Sequence, residues 1–316
     1  MYIVRETLDD ILLQLYSELL TTSATVIASR GENTEILGAL IKIEKPRARL
    51  SRSETRGKLF SSLGELLWYL SRDNQLGFIE RYVGRYRNES EDNVTVYGGY
   101  GPRLFGQRGH DQVQNVIDIL NAHPASRRAV IQIFNAEDIS SARKEIPCTT
   151  TLQFFVRNDR LDMITTMRSN DAYWGLPHDV FCFTMIQELI ARSLGREIGI
   201  YRHFAGSLHL YKDHRHDAQN FVNEGYQARI EMPSMPVGDP WSAVARLLKT
   251  EQRIRNGEHV DVDTLGLDPY WCDLIRVIQI HFSGGDEEKI EALANAMSFR
   301  RYRPYIIGRI TSSDQR

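Results

Sequence analysis

The chain has 316 residues, of which 42% are hydrophobic, so it can bury a substantial core in one large domain or two small ones. Its formal net charge of −2 gives no overall positive field, which argues against duplex nucleic acid as a partner. Acidic residues interrupt the apolar positions near the N-terminus, and no later run reaches the roughly 18 apolar residues of a transmembrane helix. We therefore expect a cytoplasmic protein that binds neither nucleic acid nor a membrane.

Helical patterns come first along the chain. Thr7 followed by Asp10 has the pattern of a capping box, and the apolar residues behind it recur at helical spacing. A second helix is predicted over residues 63–70. A third is predicted after Asp111, where apolar residues are again spaced for one buried face through residue 120.

Strand patterns occupy the middle of the chain. β-Branched and aromatic residues dominate residues 128–134 and 150–156, and the polar residues 157–160 predict a hairpin turn into a strand over residues 161–167. Residues 179–194 return to helical spacing, which predicts a long and largely buried helix. The expected fold class is α+β, with one large mixed sheet flanked by helices.

The composition changes at about residue 230. Three prolines lie between residues 233 and 240, and helical patterns follow over residues 241–255, 270–282 and 287–297. We therefore divide the chain into a first domain, residues 1–230, and a mostly helical C-terminal extension, residues 231–316, packed on it.

Cys148, Cys182 and Cys272 are too few and too widely spread for a disulfide framework or a four-thiolate zinc site. His214 and His216 are close together, but no third ligand stands at a suitable spacing, so we expect no metal. One of the cysteines is free to be a nucleophile. A buried structural thiol is the alternative for each of them.

Two segments carry the most information: Ile146-Pro147-Cys148, and residues 168–179, which end in Pro177-His178-Asp179. They resemble the active-site core of the thymidylate synthase family. Further matches in chain order extend the resemblance over roughly residues 5–220: Arg30-Gly31, Glu65-Leu66-Leu67-Trp68, Tyr100-Gly101-Pro102-Arg103, Ser126-Arg127-Arg128, Gln153-Phe154 and His209-Leu210-Tyr211. The resemblance implies a thymidylate-synthase-like fold with the catalytic residues inside the first domain.

The resemblance implies that Cys148 adds to C6 of a pyrimidine and that C5 then attacks the one-carbon unit of 5,10-methylenetetrahydrofolate. Glu65 and Tyr100 match the polar pair that handles protons at the base and at C5. The alternatives are a charge near a helix N-terminus for Glu65 and a packed aromatic in a glycine-rich turn for Tyr100. Nearby cations are expected to lower the pKa of the thiol. The candidates are Arg127, Arg128, Arg143, Lys144 and Arg168.

Arginines match the family's phosphate contacts. Arg30, Arg168 and Ser169 match the contacts made within one subunit, and Arg127 and Arg128 match the pair that reaches across from the other subunit. Guanidinium groups hold a phosphate efficiently through paired hydrogen bonds. The resemblance therefore implies a homodimer with shared sites. Taken alone, two adjacent arginines are more often a solvated strand end.

Four further residues complete the implied site. His209 and Tyr211 alternate along a strand pattern, so both face one side, and they match the residues that bind the sugar 3′-hydroxyl. Asp171 and Gly175 match positions near the folate pterin. The 3′ contacts are the same for either sugar, so CMP and dCMP both remain candidate substrates.

Asp179 stands where family members that act on uracil nucleotides carry an asparagine. Cytosine offers an amine at C4 and an unprotonated N3, and a carboxylic acid can accept from the first and donate to the second. Asp179 is therefore interpreted as the residue that selects cytosine. The alternative is that it only caps a helix beginning at Val180.

Other departures from the family point in the same direction. No tryptophan occurs between residues 77 and 97, Thr149 replaces a histidine, Met167 replaces a glutamine, and Gly308-Arg309-Ile310-Thr311 does not match the apolar tail that closes over folate. A less sealed site admits water. The resemblance is closest to the cytidylate 5-hydroxymethylase branch, with methylenetetrahydrofolate and water as co-substrates. The alternatives are thymidylate synthase or another reductive C5 methylation, and an inactive nucleotide-binding homologue.

Overall fold

A computed structural model describes residues 1–23, 25–28, 30–51 and 58–306. Within these ranges one mixed sheet of seven strands carries the fold. The strands are β1 (Tyr2–Arg5), β2 (Thr25–Ala28), β3 (Gly31–Ile43), β4 (Val130–Gln132), β5 (Thr149–Arg157), β6 (Arg160–Asp171) and β7 (Glu197–Tyr211).

Helices cover this sheet. They are α1 (Leu8–Thr21), α2 (Leu59–Leu70), α3 (Leu76–Ile79), α4 (Tyr86–Glu89), α5 (Tyr100–Phe105), α6 (Gln112–Ala122), α7 (Gly175–Ser193), α8 (Arg215–Glu224), α9 (Trp241–Arg255), α10 (Pro269–His281) and α11 (Glu287–Asn295). The α+β class is confirmed, as are the large mixed sheet, the flanking helices and the helical C-terminal part.

The strand order is β1-β3-β7-β6-β5-β4, and β2 pairs with β3. β5 and β6 form the predicted antiparallel hairpin, whereas β6 and β7 are parallel. Parallel neighbours need a crossover connection, and α7 supplies it. α7 is buried along most of its length between the sheet and α2. The ends of β6 and β7 are thereby held beside the first turns of α7.

The first predicted helix begins as expected, but its cap differs in one detail. Thr7 Oγ1 accepts a hydrogen bond from the backbone N–H of Asp10 at 3.1 Å. The side chain of Asp10 forms an ion pair with Arg229, whose Nε lies 3.2 Å from Oδ2. The N-terminal cap of α1 therefore consists of the hydrogen bond to the Thr7 hydroxyl. The Asp10 carboxylate instead links α1 to the chain that follows α8.

α7 begins earlier than the predicted residue 179. Asp171 Oδ1 accepts from the N–H groups of Tyr173 and Trp174 at 2.8 and 3.3 Å, so the chain turns there and the helix starts at Gly175. Asp179 consequently lies one turn inside the helix. The alternative that Asp179 caps a helix beginning at Val180 is wrong, because Asp171 supports the turn that precedes the helix.

The C-terminal helices are confirmed close to their predicted bounds. Apolar side chains from this part, such as Met235, Leu274 and Ile278, belong to the same buried cluster as those of α2 and α7. Tyr82 donates a hydrogen bond to Glu251 of α9 at 2.8 Å. The division into residues 1–230 and 231–316 stays a prediction, and the hydrophobic core is continuous across it.

A buried ion pair ties α7 to the segments around it. Arg49 and Glu188 are almost fully enclosed, with Nη2 of the arginine 2.5 Å from Oε2 of the glutamate. Glu188 Oε1 also accepts from the N–H of Met235 at 3.0 Å. Both charges are therefore removed from water and depend on each other.

Replacing Glu188 with alanine is expected to lower the free energy of unfolding by about 3–5 kcal/mol, because Arg49 would keep a buried, unpaired charge. Urea denaturation of the full chain measures this loss. The matched control is the double variant Arg49→Met and Glu188→Leu, which removes both charges and is expected to recover most of the stability. A loss below about 1 kcal/mol in the single variant would contradict the prediction.

Candidate active site

A cavity of about 520 Å³ opens where the ends of β6 and β7 meet α2, α5 and the start of α7. This volume is within the range of small-molecule sites, roughly 300–1,000 Å³. All of the predicted site residues except Arg127 and Arg128 line it: Arg30, Glu65, Tyr100, Cys148, Arg168, Ser169, Asp171, Gly175, Asp179, His209 and Tyr211. The structure thus brings residues from distant parts of the sequence into one cavity.

Cys148 lies immediately before β5, in a loop that Arg168 holds. The guanidinium of Arg168 donates to the carbonyls of Pro147 and Ile146 at 3.0 and 3.1 Å, and its Nη2 lies 3.6 Å from Sγ of Cys148. One side chain therefore fixes the loop and places a positive charge beside the thiol. The thiol is the cysteine of the three that lines the cavity.

Burial raises the pKa of Cys148 to about 11, although the nearby charges of Arg168 and Arg30 oppose the rise. The expectation of a lowered pKa is wrong. Burial has the larger effect because it disfavours the thiolate itself. At neutral pH the thiol therefore keeps its proton.

Two of the cations expected to act on Cys148 are engaged elsewhere. Arg143 lies over the ring of Tyr97, 3.7 Å from its centroid, and Lys144 Nζ donates to the carbonyl of Ser90 at 2.8 Å. Both line the cavity wall, but their contacts hold the neighbouring loop. Arg168 is the expected cation with a direct contact to the sulfur.

Glu65 lies in the middle of α2, so its assignment to a helix N-terminus is wrong. Its Oε1 accepts from the hydroxyls of Tyr69 and Tyr86 at 3.0 and 2.5 Å. Oε2 has no hydrogen-bond partner among the described residues, and Glu65 lines the cavity. The two tyrosines thus fix the carboxyl while one oxygen remains for a ligand or water.

Tyr100 begins α5, and its hydroxyl accepts from the N–H of Thr149 at 3.2 Å. The ring lies between Tyr69 and Phe183, with centroids 5.0 and 6.2 Å away. Burial raises the pKa of Tyr100 well above its ordinary value, so the phenol stays neutral. Tyr100 is a packed aromatic, as in the alternative interpretation, and its hydroxyl also contacts Thr149, the residue that follows Cys148.

The predicted anion-binding residues separate into two groups. Arg30 lies at the cavity mouth, largely exposed, with Nη2 2.7 Å from Oε2 of Glu89. Arg168 and Ser169 lie deeper, at the end of β6. Arg127 and Arg128 are exposed outside this cavity. In one chain the structure therefore brings together three of the five predicted phosphate contacts.

His209 and Tyr211 lie on the same face of β7, as predicted, and both line the cavity. Their rings meet edge to face, with centroids 5.0 Å apart. His209 is opposite Asp171 in the β6–β7 pairing. Burial lowers the pKa of His209, although the charge of Asp171 opposes this.

Asp179 projects from the first turns of α7 and accepts from Asn170 Nδ2 at 2.8 Å through Oδ2. Burial raises its pKa well above the ordinary value, and the charge of Glu65 adds to this. Burial therefore favours the neutral, protonated form of this carboxyl over the carboxylate. Gly175 is required next to it, because a Cβ there would lie 2.9 Å from Asn170 Nδ2.

Sequence reasoning assigned no role to Glu145 or Asn170, yet both line the cavity. Glu145 forms no hydrogen bond or ion pair with the described residues, and burial raises its pKa to about 7. Its position three residues before Cys148 was the only signal in the sequence. Asn170 lay inside the quoted motif, but its contact with Asp179 depends on where α7 begins.

The charge of Glu145 is one cause of the high pKa of Cys148. Glu145 is ionised above a pH of about 7, and a negative charge disfavours the thiolate, so Glu145→Gln is expected to let the thiolate form at lower pH. Alkylation of Cys148 at mildly alkaline pH should become about threefold faster.

The pH profile of iodoacetamide labelling, resolved by peptide mass spectrometry, measures this change. Glu91→Gln is the matched control, because Glu91 contacts Arg143 and does not line the cavity. An unchanged profile in Glu145→Gln, or the same shift in the control, would show that Glu145 does not act on the thiol.

Among the described residues, no group of three or more His, Cys, Asp and Glu side chains could hold a metal ion. His214 stacks on Tyr173 and accepts from Trp174 Nε1 at 2.8 Å. In the same ranges, no helix combines the length and the apolar character that crossing a bilayer requires. The segment from Gly308 to Thr311 lies outside the described residues.

Comparison with known proteins gives relatives of two kinds. The chain is 32% identical over 243 residues to deoxyuridylate hydroxymethyltransferase of Bacillus phage SP01, covering 71% of this chain and 63% of that protein. The deoxyuridylate hydroxymethyltransferase of Pseudomonas phage M6 is 36% identical over 157 residues, covering 49% of this chain and 45% of that protein. Thymidylate synthase of Buchnera aphidicola subsp. Acyrthosiphon pisum (strain Tuc7) is 31% identical over 160 residues, 49% of this chain and 60% of that protein.

The chain thus spans less than two thirds of the length of each of these relatives. The sequence profile of the thymidylate synthase family matches residues 52–246, more than half of the chain. These residues include Cys148, the end of β6 and the start of α7, all of which line the cavity. The chain belongs to the thymidylate synthase family.

Proposed function

We propose that the protein transfers a hydroxymethyl group to C5 of CMP or dCMP, using methylenetetrahydrofolate and water. The observation that carries the proposal is Asp179, a buried carboxyl whose pKa is raised by burial and which lines the same cavity as Cys148 and Glu65. The overall reaction consumes the cytidylate, methylenetetrahydrofolate and one water. It yields 5-hydroxymethylcytidylate and tetrahydrofolate.

The reaction begins when Cys148 loses its thiol proton to solvent and the sulfur adds to C6 of cytosine. The electron pair moves through C5 to N3, where Asp179 delivers a proton. C5 then bonds to the one-carbon unit that methylenetetrahydrofolate supplies, loses its proton, and tetrahydrofolate leaves. Water adds to the resulting exocyclic methylene and gives up a proton. The sulfur then departs from C6 and regains its proton as the C5–C6 double bond re-forms, and N3 returns its proton to Asp179.

Asp179 matches the hydrogen-bonding pattern of cytosine. As a protonated carboxyl it donates from O–H to N3 and accepts from the C4 amine. Uracil carries a proton on N3 and a carbonyl at C4, so a carboxyl whose O–H faces N3 would meet it donor to donor and acceptor to acceptor. A buried mismatch of this kind costs about 1–3 kcal/mol for each unsatisfied group.

The remaining nucleotide contacts follow from the positions of the basic and polar side chains. Arg168 and Ser169 would bind the phosphate inside the cavity, and Arg30 would turn from Glu89 to join them. The sugar 3′-hydroxyl would bind His209 and Tyr211. The exposed pair Arg127 and Arg128 would complete the phosphate site of a second subunit, so we propose a homodimer with shared sites.

The co-substrate contacts involve the turn before α7. Asp171 uses Oδ1 in that turn, and its Oδ2 has no partner among the described residues, which leaves an acceptor for the N–H groups of a pterin. Gly175 keeps the neighbouring wall free of a side chain. Glu145, with a pKa of about 7, can accept the proton of the attacking water near neutral pH.

A second candidate keeps the reaction and changes the base. The names of the two phage relatives state hydroxymethyl transfer to deoxyuridylate, which supports hydroxymethylation and favours uracil. The Buchnera relative is named thymidylate synthase, which keeps reductive methylation as a third outcome. An inactive nucleotide-binding homologue would need neither Cys148 nor Glu65.

The test is mass spectrometry of CMP, dCMP and dUMP, each incubated with the purified chain, formaldehyde and tetrahydrofolate, with Cys148→Ala as the control. A cysteine-dependent gain of one CH₂O unit on a cytidylate supports the proposal and identifies the sugar. The same gain on dUMP alone would support the second candidate. A gain of CH₂ on dUMP would identify reductive methylation, and no product on any nucleotide would contradict an enzymatic role.

A further inference from the structure

Asp179 is the end of a row of buried hydrogen bonds that continues away from the cavity lining. Asn170 Nδ2 lies 2.8 Å from Asp179 Oδ2, and Asn170 Oδ1 lies 3.0 Å from His203 Nε2. His203 Nδ1 lies 2.9 Å from the hydroxyl of Tyr201. Tyr201 and His203 are fully buried on β7, and neither lines the cavity. The reaction proposed above gives these two side chains no direct task.

We propose that Asn170, oriented by His203 and Tyr201, determines which oxygen of Asp179 carries the proton. Asp179 thereby becomes selective for cytosine. This inference rests on the proposed function and names a second specificity-determining residue for it. Asn170 contacts Asp179 directly, whereas His203 and Tyr201 are positioning residues that act through Asn170.

The orientation of the Asn170 amide, with Oδ1 toward His203 and Nδ2 toward Asp179, gives the hydrogen bonds in the row a direction. Burial lowers the pKa of His203 to about 3, so the imidazole is neutral and carries one N–H. Burial raises the pKa of Tyr201 well above its ordinary value, so the phenol keeps its proton and can donate to Nδ1. The imidazole proton then lies on Nε2 and is donated to Asn170 Oδ1. The amide NH₂ of Asn170 is left to donate to Asp179.

This direction makes the two oxygens of Asp179 unequal. Oδ2 accepts from Asn170, and an oxygen that accepts hydrogen bonds is favoured as the carbonyl oxygen of a carboxylic acid. The proton is then favoured on Oδ1. A carboxyl so arranged offers an acceptor and a donor in a fixed order, which is the order that the cytosine amine and N3 require.

Hydrogen bonding of Asp179 to uracil would require its proton to lie on the other oxygen. Oδ2 would then carry the O–H, and its acceptance from Asn170 would be weaker. Gly175 leaves room for this amide, because a Cβ at position 175 would lie only 2.9 Å from the amide nitrogen of Asn170. The row of hydrogen bonds therefore disfavours the binding of uracil. It does so through Asn170, to which the sequence analysis assigned no role.

Asn170→Leu removes the donor while keeping a similar volume. The affinity ratio between CMP and UMP, or between dCMP and dUMP, is expected to fall about tenfold, because one buried hydrogen bond no longer distinguishes the two oxygens. Isothermal titration of the full chain measures the ratio. Ser169→Ala is the matched control, since it weakens phosphate binding for both bases and leaves the ratio unchanged.

His203 provides a rescue test that a purely structural role would not show. His203→Phe leaves Asn170 Oδ1 without a donor and should lower the same ratio, whereas His203→Gln retains an N–H donor and should restore part of it. A ratio that falls equally in both variants would contradict the proposed row.

The wild-type protein offers a direct readout that does not depend on any variant folding. Nitrogen NMR of the labelled histidines is expected to show His203 protonated at Nε2. Protonation at Nδ1, or nucleotide binding with an unchanged ratio in Asn170→Leu, would overturn this inference alone. Failure of every nucleotide to bind would overturn the proposed function and the inference with it.

Discussion

Cys148→Ala is expected to lower the rate of product formation by at least about 10³-fold while nucleotide affinity changes little. Among the described residues, Cys148 is the only cysteine that lines the cavity. Arg168 both anchors the loop of Cys148 and contacts its sulfur. Without it, C5 of the pyrimidine has no route to become a nucleophile. In the proposed site Arg168 would still bind the phosphate, so nucleotide binding should persist.

A covalent adduct isolates this step from the later ones. A cytidylate carrying fluorine at C5 can be attacked at C6 but cannot lose the C5 substituent as a proton, so the enzyme should remain bound to it. Intact-protein mass spectrometry with methylenetetrahydrofolate detects the complex in the wild type. Cys272→Ala is the matched control and should form the adduct. An adduct of unchanged yield in Cys148→Ala would refute the assignment of the nucleophile.

Asp179→Asn is expected to lower kcat for cytidylate by about 10³-fold, with a much smaller change in KM. An amide can hydrogen-bond to N3, but it cannot transfer the proton that N3 needs when the thiolate adds to C6. In the proposed reaction the buried carboxyl of Asp179, whose pKa burial raises, supplies that proton. The effect should therefore be on the chemical step.

The effect of the same variant on uracil depends on Asn170. To hydrogen-bond with uracil, the amide introduced at position 179 must place its NH₂ toward O4. There it would meet the NH₂ of Asn170. Asp179→Asn alone should therefore gain little activity on uridylate, and adding Asn170→Leu should raise that activity about tenfold. Steady-state kinetics on CMP, dCMP and dUMP would test this. Unchanged turnover of cytidylate in Asp179→Asn would exclude Asp179 as the proton donor.

Much of the site could be predicted because its residues occur in short segments that keep their order. Cys148 and Arg168 are twenty residues apart in sequence and contact each other across the β5–β6 hairpin. The hairpin itself was visible from its polar turn. Both the pairing of the strands and the meeting of the two residues thus follow from local patterns.

Other features depend on contacts that a linear pattern does not contain. β3 was not predicted, since its first half carries Asn33 and Glu35, polar residues that line the cavity. The start of α7 was placed too late because the turn rests on one carboxyl, Asp171. The high pKa of Cys148 results from burial, whereas the sequence displays only the neighbouring charges.

The link from Asn170 to Tyr201 was also hidden from sequence. It joins the end of β6 to the middle of β7, and His203 is a polar residue at a fully buried strand position. Such a residue has no distinctive spacing, and only the pairing of the two parallel strands brings it within reach of Asn170. Buried polar groups of this kind become visible once the strand register is known.

The origin of the product's hydroxyl oxygen tests the central claim most directly. The chain would be incubated with the preferred cytidylate and methylenetetrahydrofolate in water enriched in the heavy oxygen isotope, and the product analysed by mass spectrometry. We predict a cysteine-dependent gain of one CH₂O unit whose oxygen carries the isotope. A product that gains CH₂ without oxygen, with dihydrofolate formed in equal amount, would contradict the account.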